Sequence, residues 1–186
     1  MKKIVIVLCI ILLSACSLGK SNTPKQKVEE LLDKYKNQNQ EVLADLEDSI
    51  PDDYTGEYRS KYKEIMTNQY KNMEYKIINE SIEGNEAVVD AEITVYDYSS
   101  VMNNANEYLK DHIEEFKKDA QELTDEITDN DYDQDKYNEY RLKKLEEATD
   151  KINYTIEFNL TKKDKKWVIE PLSDSDIQKL HGLYEE

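Results

Sequence analysis

The chain has 186 residues, with 41 acidic side chains against 25 lysines and arginines, and a formal net charge of −16 at pH 7. This length suits a single domain, and the acidity argues against nucleic-acid binding, because phosphates need a basic face to replace their counterions. For the same reason the body of the protein is not expected to lie on an anionic membrane surface.

The N-terminus has the order of a secretory signal. The pair Lys2-Lys3 precedes ten unbroken apolar residues, 4–13, and the small residues Ser14 and Ala15 follow. A membrane-spanning helix needs roughly 20 apolar residues, whereas ten fit the apolar part of a signal that is cut after small residues. We therefore predict a cleaved signal over residues 1–15.

The stretch Leu13-Ser14-Ala15-Cys16 resembles the lipobox of bacterial lipoproteins. The resemblance implies that a peptidase recognises Leu13, Ser14 and Ala15, that it cuts before Cys16, and that a diacylglycerol is attached to the Cys16 sulfur. The alternative is an ordinary cleaved signal followed by a chance cysteine. With the lipid in place, residues 16–22 form a short tether, and the protein is anchored to the outer face of a bacterial cell membrane. The other cysteine leaves with the signal, so no free thiol remains for chemistry.

Residues 23–186 are predicted to form one domain that begins with three helices. Thr23 is a suitable N-cap, Pro24 suits the first turn, and Gln26 completes a capping box. Side chains at helical spacing predict the three helices in turn: Val28, Leu31, Leu32 and Tyr35; Val42, Leu43, Leu46 and Ile50; Tyr58, Tyr62, Ile65, Met66, Gln69 and Met73.

An alternation of period two, typical of strands with one solvated face, then replaces the helical spacing. Strands are predicted at residues 75–83, 87–95, 152–160 and 167–169, paired by a turn at Gly84-Asn85 and a charged turn at 162–166. A last helix, capped by Ser173 or Ser175, is predicted to carry Ile177, Leu180 and Tyr184.

A helical hairpin is predicted to interrupt the sheet between about residues 99 and 150. Its second helix should cover 135–150. Its first helix is expected to run for about 25–30 residues, because six side chains follow a heptad-like spacing: Leu109, Ile113, Phe116, Ala120, Leu123 and Ile127. This hairpin is expected to pack on itself, with docking to a protein partner as the alternative.

These elements predict an α+β fold, in which N-terminal helices pack on a curved antiparallel sheet of about four strands. The opening 23–39 and the two strand pairs 75–95 and 154–171 resemble the nuclear transport factor 2-like (cystatin-like) fold, as found in small secreted lipoproteins of low-GC bacteria. The resemblance implies a concave sheet able to hold a pocket. It implies no activity, since proteins of this fold range from enzymes to binding domains.

Three tyrosines are candidate ligand-binding residues. Tyr58 and Tyr62 on the third helix and Tyr154 on a strand would bind a small hydrophobic or sugar-like ligand if they lined the concave sheet. The favoured alternative is that they form the core between helices and sheet.

An acidic segment begins like an EF-hand calcium loop, with Asp129, Asp131, Asp133 and Asp135 as candidate ligands. The pattern then fails, because Gln134 stands where the loop needs glycine and Tyr140 where it needs a bidentate glutamate. We expect a solvated loop with no metal or cofactor, and the alternative is weak calcium binding.

The chain shows no catalytic arrangement. His112 and His181, its two histidines, are not at metal-ligand spacing, and no paired nucleophile and base or glycine-rich phosphate loop is present. We therefore expect a non-catalytic domain that binds a small ligand or an envelope protein at the cell surface. The alternatives are a small-substrate enzyme of the same fold and a structural or assembly factor of the envelope.

Overall fold

The structure is a computed structural model that describes residues 22–50, 54–117 and 132–185. The predicted signal, Cys16 and the tether up to residue 21 lie outside these residues. So do Pro51, Asp129, Asp131 and the last three positions of the predicted heptad stripe, Ala120, Leu123 and Ile127.

The described residues form six α-helices and one four-stranded antiparallel sheet, which confirms the predicted α+β fold with a C-terminal helix. The helices are α1 Pro24–Lys36, α2 Gln40–Ser49, α3 Gly56–Asn72, α4 Tyr98–Asp111, α5 Gln134–Glu146 and α6 Asp174–His181. The strands are β1 Glu74–Glu83, β2 Glu86–Tyr96, β3 Lys151–Lys163 and β4 Lys166–Ile169, and they pair in chain order.

The sheet has one buried and one solvated face, as the alternation predicted. β2 and β3 pair without interruption from Glu86↔Thr161 to Tyr96↔Lys151. Every second residue of these strands is buried against α1 and α6, in a core that includes Val28, Leu32, Val89, Ile93, Ile156, Phe158 and Leu180. Burial of this shared apolar face holds the sheet in register, since a slip of one residue would turn it to solvent.

Helix α1 starts at the predicted residue with the predicted cap Thr23, but the predicted capping box does not form. The Thr23 hydroxyl accepts a hydrogen bond from the Gln26 backbone nitrogen at 3.2 Å, but Gln26 Oε1 is buried with no partner among the described residues. A second side chain also accepts a hydrogen bond at this helix end: Glu80 Oε1 accepts from the Lys25 backbone N–H at 2.9 Å. A bulge at Ile78 puts Glu80 opposite Val89, and so on the face of the sheet where α1 lies.

The predicted long helix of the insertion is wrong where the structure describes it. Helix α4 ends at Asp111, and a short 3-10 helix, Ile113–Phe116, follows after His112. The turn brings the Phe116 ring to 5.6 Å from Tyr137 and 5.5 Å from Tyr140. Aromatic packing on the partner helix α5 therefore outweighs continuation of the heptad pattern.

Two smaller boundaries also differ from prediction. Helix α5 ends at Glu146 and not near residue 150. Helix α6 is capped by Ser173, one of its two predicted caps. It stops at Gly182, which adopts a left-handed conformation (φ +71°), so Tyr184 lies beyond the helix. Among the helices that the structure describes, none is both long and apolar enough to cross a membrane.

Candidate functional site

The three candidate tyrosines lie in two separate parts of the fold. Tyr58 and Tyr62 form a cluster of rings with Tyr54, at centroid distances of 4.5 and 5.2 Å, over the core between α2, α3, α4 and α5. Tyr154 belongs to the core under the sheet, where its hydroxyl donates to the Tyr184 carbonyl oxygen at 2.9 Å. The structure therefore does not bring Tyr154 together with the other two, and their ligand binding stays a prediction.

The acidic segment has a structural task at its described end. Asp133 Oδ1 accepts the backbone N–H groups of Asp135 and Lys136, at 3.0 and 3.1 Å, and so caps α5. The Lys136 N–H is the main reason that the pKa of Asp133 is lowered. Across residues 22–50, 54–117 and 132–185, no group of three or more potential metal ligands comes together.

A mainly apolar cleft lies where the sequence indicated no site. A cleft of about 410 Å³ opens between α1, α2, α6 and the segment after β4, which is within the usual size of small-ligand sites. Its lining is mainly apolar and comprises Leu31, Tyr35, Val42, Leu46, Ile169, Pro171, Leu172 and Ile177, with Asp45, Ser49, Tyr70, Glu170 and His181 as polar members. We call it the apolar cleft.

Each wall of the apolar cleft follows from a local feature of the sequence. Leu31 and Tyr35 are four residues apart and so point from the same face of α1. On the other side, Pro171 follows β4 and Ser173 starts α6, so the short segment between them runs along the opening. The cleft is the space left between these elements, each of which depends on its own local sequence.

A hydrogen-bonded pair of side chains borders the apolar cleft. The Tyr70 hydroxyl lies 2.7 Å from His181 Nε2. Burial lowers the pKa of His181 to about 4 and raises the pKa of Tyr70 above its usual range, so both groups are neutral at pH 7. The edge of the Tyr35 ring meets Tyr70 at 5.0 Å, and the pKa of Tyr35 is raised by burial and by the charge of Asp45.

A buried glutamine holds this pair in place. Gln69 is fully buried, and its Nε2 donates to the carbonyl oxygens of Tyr96 and His181 at 2.9 and 3.0 Å. Its Oε1 accepts the Tyr96 N–H at 2.9 Å. Gly182 lies against this junction, where a Cβ would collide with the Tyr96 carbonyl oxygen. Gln69 thus joins α3, the end of β2 and the end of α6 at one point.

Two sequence signals for this region existed, although neither identified a cleft. Gln69 is a polar residue within an otherwise apolar and aromatic helical stripe, and His181 comes one helical turn after Ile177. Their partners are more than 25 residues away in the chain, so the pattern within each helix could not show what they contact.

The comparisons with known proteins add little to this geometry. No family model matches the chain, and no curated protein matches it. Among solved structures, a "putative lipoprotein (ycdA)" from Bacillus subtilis subsp. subtilis str. 168 is similar, with 16% sequence identity and a TM-score of 0.43. The match covers 86% of this chain but only 48% of that protein, so this chain spans about half its length. At this level of similarity we transfer no function from it.

Proposed function

We propose that this chain is a lipoprotein anchored to the outer face of a bacterial cell membrane by a diacylglycerol on Cys16, and that its domain binds a small, mainly apolar ligand without catalysis. The lipobox-like Leu13-Ser14-Ala15-Cys16 supports the anchor. A diacylglycerol has two chains, which suffices for stable attachment, because each buried methylene contributes about 0.8 kcal/mol.

The observation that carries the binding role is the apolar cleft itself. Its mainly apolar walls favour an apolar ligand, and the Tyr70–His181 pair at its border is neutral. Asp45 and Glu170 are the carboxylates of the lining, and the chain as a whole carries −16. These charges repel anions, so the ligand class that fits is a neutral or cationic compound with an aromatic or aliphatic body.

The titration of the pair supports a binding role over catalysis. A general base works best when its pKa lies near the working pH. The pKa of His181 is about 4 and that of Tyr70 lies above its usual range, so neither group exchanges a proton readily at neutral pH.

The anchor is tested by detergent phase partitioning of the full chain expressed in a bacterium that processes lipoproteins. Wild type should enter the detergent phase and carry a diacylglycerol on its first residue in the mass spectrum. Cys16→Ala should remain in the aqueous phase or keep its uncut signal. Equal partitioning of the two proteins, with no lipid on either, overturns the anchor.

The cleft is tested with the neutral fluorescent probe N-phenyl-1-naphthylamine on residues 17–186, a segment that holds every described element. Leu172→Trp adds bulk at the wall of the cleft, whereas Val168→Trp places the same bulk on the solvated face of β4, where Val168 is 43% exposed. Wild type and Val168→Trp should bind the probe alike, and Leu172→Trp should lose most of this binding. Failure of wild type to bind, or equal binding by both variants, overturns the cleft as the ligand site.

A further inference from the structure

The turn between β3 and β4 concentrates positive charges that have no carboxylate partner among the described residues. Residues 162–166, which we call the lysine hairpin, contain Lys162, Lys163, Lys165 and Lys166 around Asp164. All five are exposed. Twelve of the fifteen other lysines of the described residues form ion pairs with carboxylates, whereas none of these four does within that part of the chain.

The first described residue of the chain is fixed to the same hairpin. Asn22 Nδ2 donates to the Lys165 carbonyl oxygen at 2.6 Å, and the Trp167 N–H donates to Asn22 Oδ1 at 3.3 Å. The chain that comes from Cys16 therefore joins the folded body at the lysine hairpin. Asn22 lies six positions after Cys16, and an extended chain of this length spans at most about 20 Å.

From these two observations we propose that the lysine hairpin docks on the anionic phospholipid headgroups of the membrane that holds the Cys16 lipid. This inference rests on the proposed lipid anchor. The anchor supplies attachment, and the hairpin sets orientation: the β3–β4 turn faces the membrane, and the opposite end of the sheet, where α4 leaves β2, faces away.

The distribution of charge explains how so acidic a protein can make this contact. The neighbouring β1–β2 turn lies beside the hairpin, since the Lys162 N–H donates to the Asn85 carbonyl oxygen at 2.7 Å, and it adds Glu83 and Glu86. With Asp164 these make three carboxylates against four lysines, a net charge of +1, which leaves −17 for the remainder of the chain. Charges beyond about 8 Å are largely screened at physiological salt, so the nearby lysines are attracted while the distant acids have little effect.

An exposed apolar side chain at the same end suits an interfacial contact. Ile82 is 52% exposed and lies opposite Ala87, next to the Gly84-Asn85 turn. Apolar side chains beside lysines are a recurrent composition of surfaces that rest on a bilayer.

The test uses the full chain, expressed and lipidated in a bacterial host and reconstituted into vesicles. Trp167 is the single tryptophan and follows the hairpin directly, so energy transfer from it to dansyl-labelled headgroups reports how near the hairpin lies to the bilayer. The test variant is Lys163→Gln/Lys165→Gln/Lys166→Gln. It keeps Lys162, whose Nζ lies 5.3 Å from the centre of the Trp167 ring, so the environment of the donor is preserved.

The matched control is Lys71→Gln/Lys110→Gln/Lys143→Gln, which removes the same charge from exposed positions on α3, α4 and α5. Wild type and control should transfer more energy in mixed phosphatidylglycerol–phosphatidylcholine vesicles than in phosphatidylcholine vesicles, and added salt should abolish the difference. The hairpin variant should show no difference, with an unchanged melting temperature.

The outcomes separate the docking from the anchor on which it rests. A mass spectrum without the diacylglycerol overturns the anchor and the docking with it. If the lipid is present, equal transfer in both vesicle types for wild type overturns the docking alone, and so does a gain that the hairpin variant retains. In either case the anchor stands.

Discussion

Replacing the buried Gln69 by methionine tests the junction that holds the Tyr70–His181 pair. Methionine has a similar length and volume, so the substitution removes hydrogen bonds without opening a large cavity. Three backbone groups lose their partner: the N–H and the carbonyl of Tyr96 and the carbonyl of His181.

The expected loss of stability follows from these three groups. A buried polar group left without a partner costs about 1–3 kcal/mol. Because a water molecule or a small backbone shift can satisfy part of the loss, we expect the free energy of unfolding to fall by about 3–5 kcal/mol in total. A domain of this size typically has about 5–15 kcal/mol, so the variant should remain folded but markedly weakened.

Urea unfolding followed by circular dichroism and by Trp167 fluorescence measures this loss. Gln38→Met is the matched control, since Gln38 is only partly buried and makes one long hydrogen bond, 3.4 Å, to the Thr67 carbonyl oxygen. It should cost less than about 1 kcal/mol. The reasoning is refuted if the two substitutions cost the same, or if the Gln69 variant unfolds at the urea concentration of wild type.

Further predictions concern the helix end, the pH dependence and the acidic segment. Gly182→Ala should lower the free energy of unfolding by more than about 3 kcal/mol, because the left-handed backbone and a collision with the Tyr96 carbonyl act together. Gly84 is also left-handed but faces open space, so Gly84→Ala should lower it by about 1–2 kcal/mol. Thermal unfolding of both variants checks this difference. The pKa of His181 falls from 6.5 to about 4 on folding, so its stabilising contribution is complete above about pH 6.5 and is lost as the pH drops towards 4. Wild type should therefore lose up to about 3 kcal/mol more than His181→Gln between these two pH values in urea titrations, and parallel curves would contradict the assignment. Calorimetric titration with millimolar calcium should give no heat, because Asp133 already caps α5; saturable heat would show a site.

The parts of the fold that local patterns determine could be predicted from the sequence. The alternation of apolar and polar residues predicted β2 and β3 correctly, because both strands bury one face against helices. The Gly84-Asn85 turn and the caps Thr23 and Ser173 are also correct, since each depends on residues two or three positions away. These features need no knowledge of distant contacts.

The features that were missed depend on distant contacts. The heptad spacing through Ile113 correctly describes which residues an ideal helix would align, but the Phe116 ring instead packs on α5, about 20 residues further along. The apolar cleft is lined by Leu31 and Leu172 together, and nothing in either local segment indicates the other.

The proposed docking of the lysine hairpin is a further feature that the sequence alone did not indicate. The run Lys162-Lys163-Asp164-Lys165-Lys166 is visible in the sequence, yet the net charge of −16 argued against any contact of the body with an anionic surface. The contact of Asn22 with Lys165 is what led us to propose the docking, because it places the first described residue of the chain at this basic turn. A total charge describes a protein well only when its charges are evenly spread.

The two ends of the insertion between β2 and β3 are joined by backbone contacts at two levels, so the insertion should tolerate added sequence. Its base is closed where the Asp97 N–H donates to the Asp150 carbonyl oxygen at 2.9 Å, and its outer part is closed again by the bridge between Lys117 and Tyr132. Chain added between residues 117 and 132 therefore enters and leaves at one point, and the register of the sheet is independent of its length. Strand β2 separates this end from the lysine hairpin by roughly 34 Å. An epitope tag placed there would test the proposed location on the outer face of the membrane, through antibody binding to intact cells.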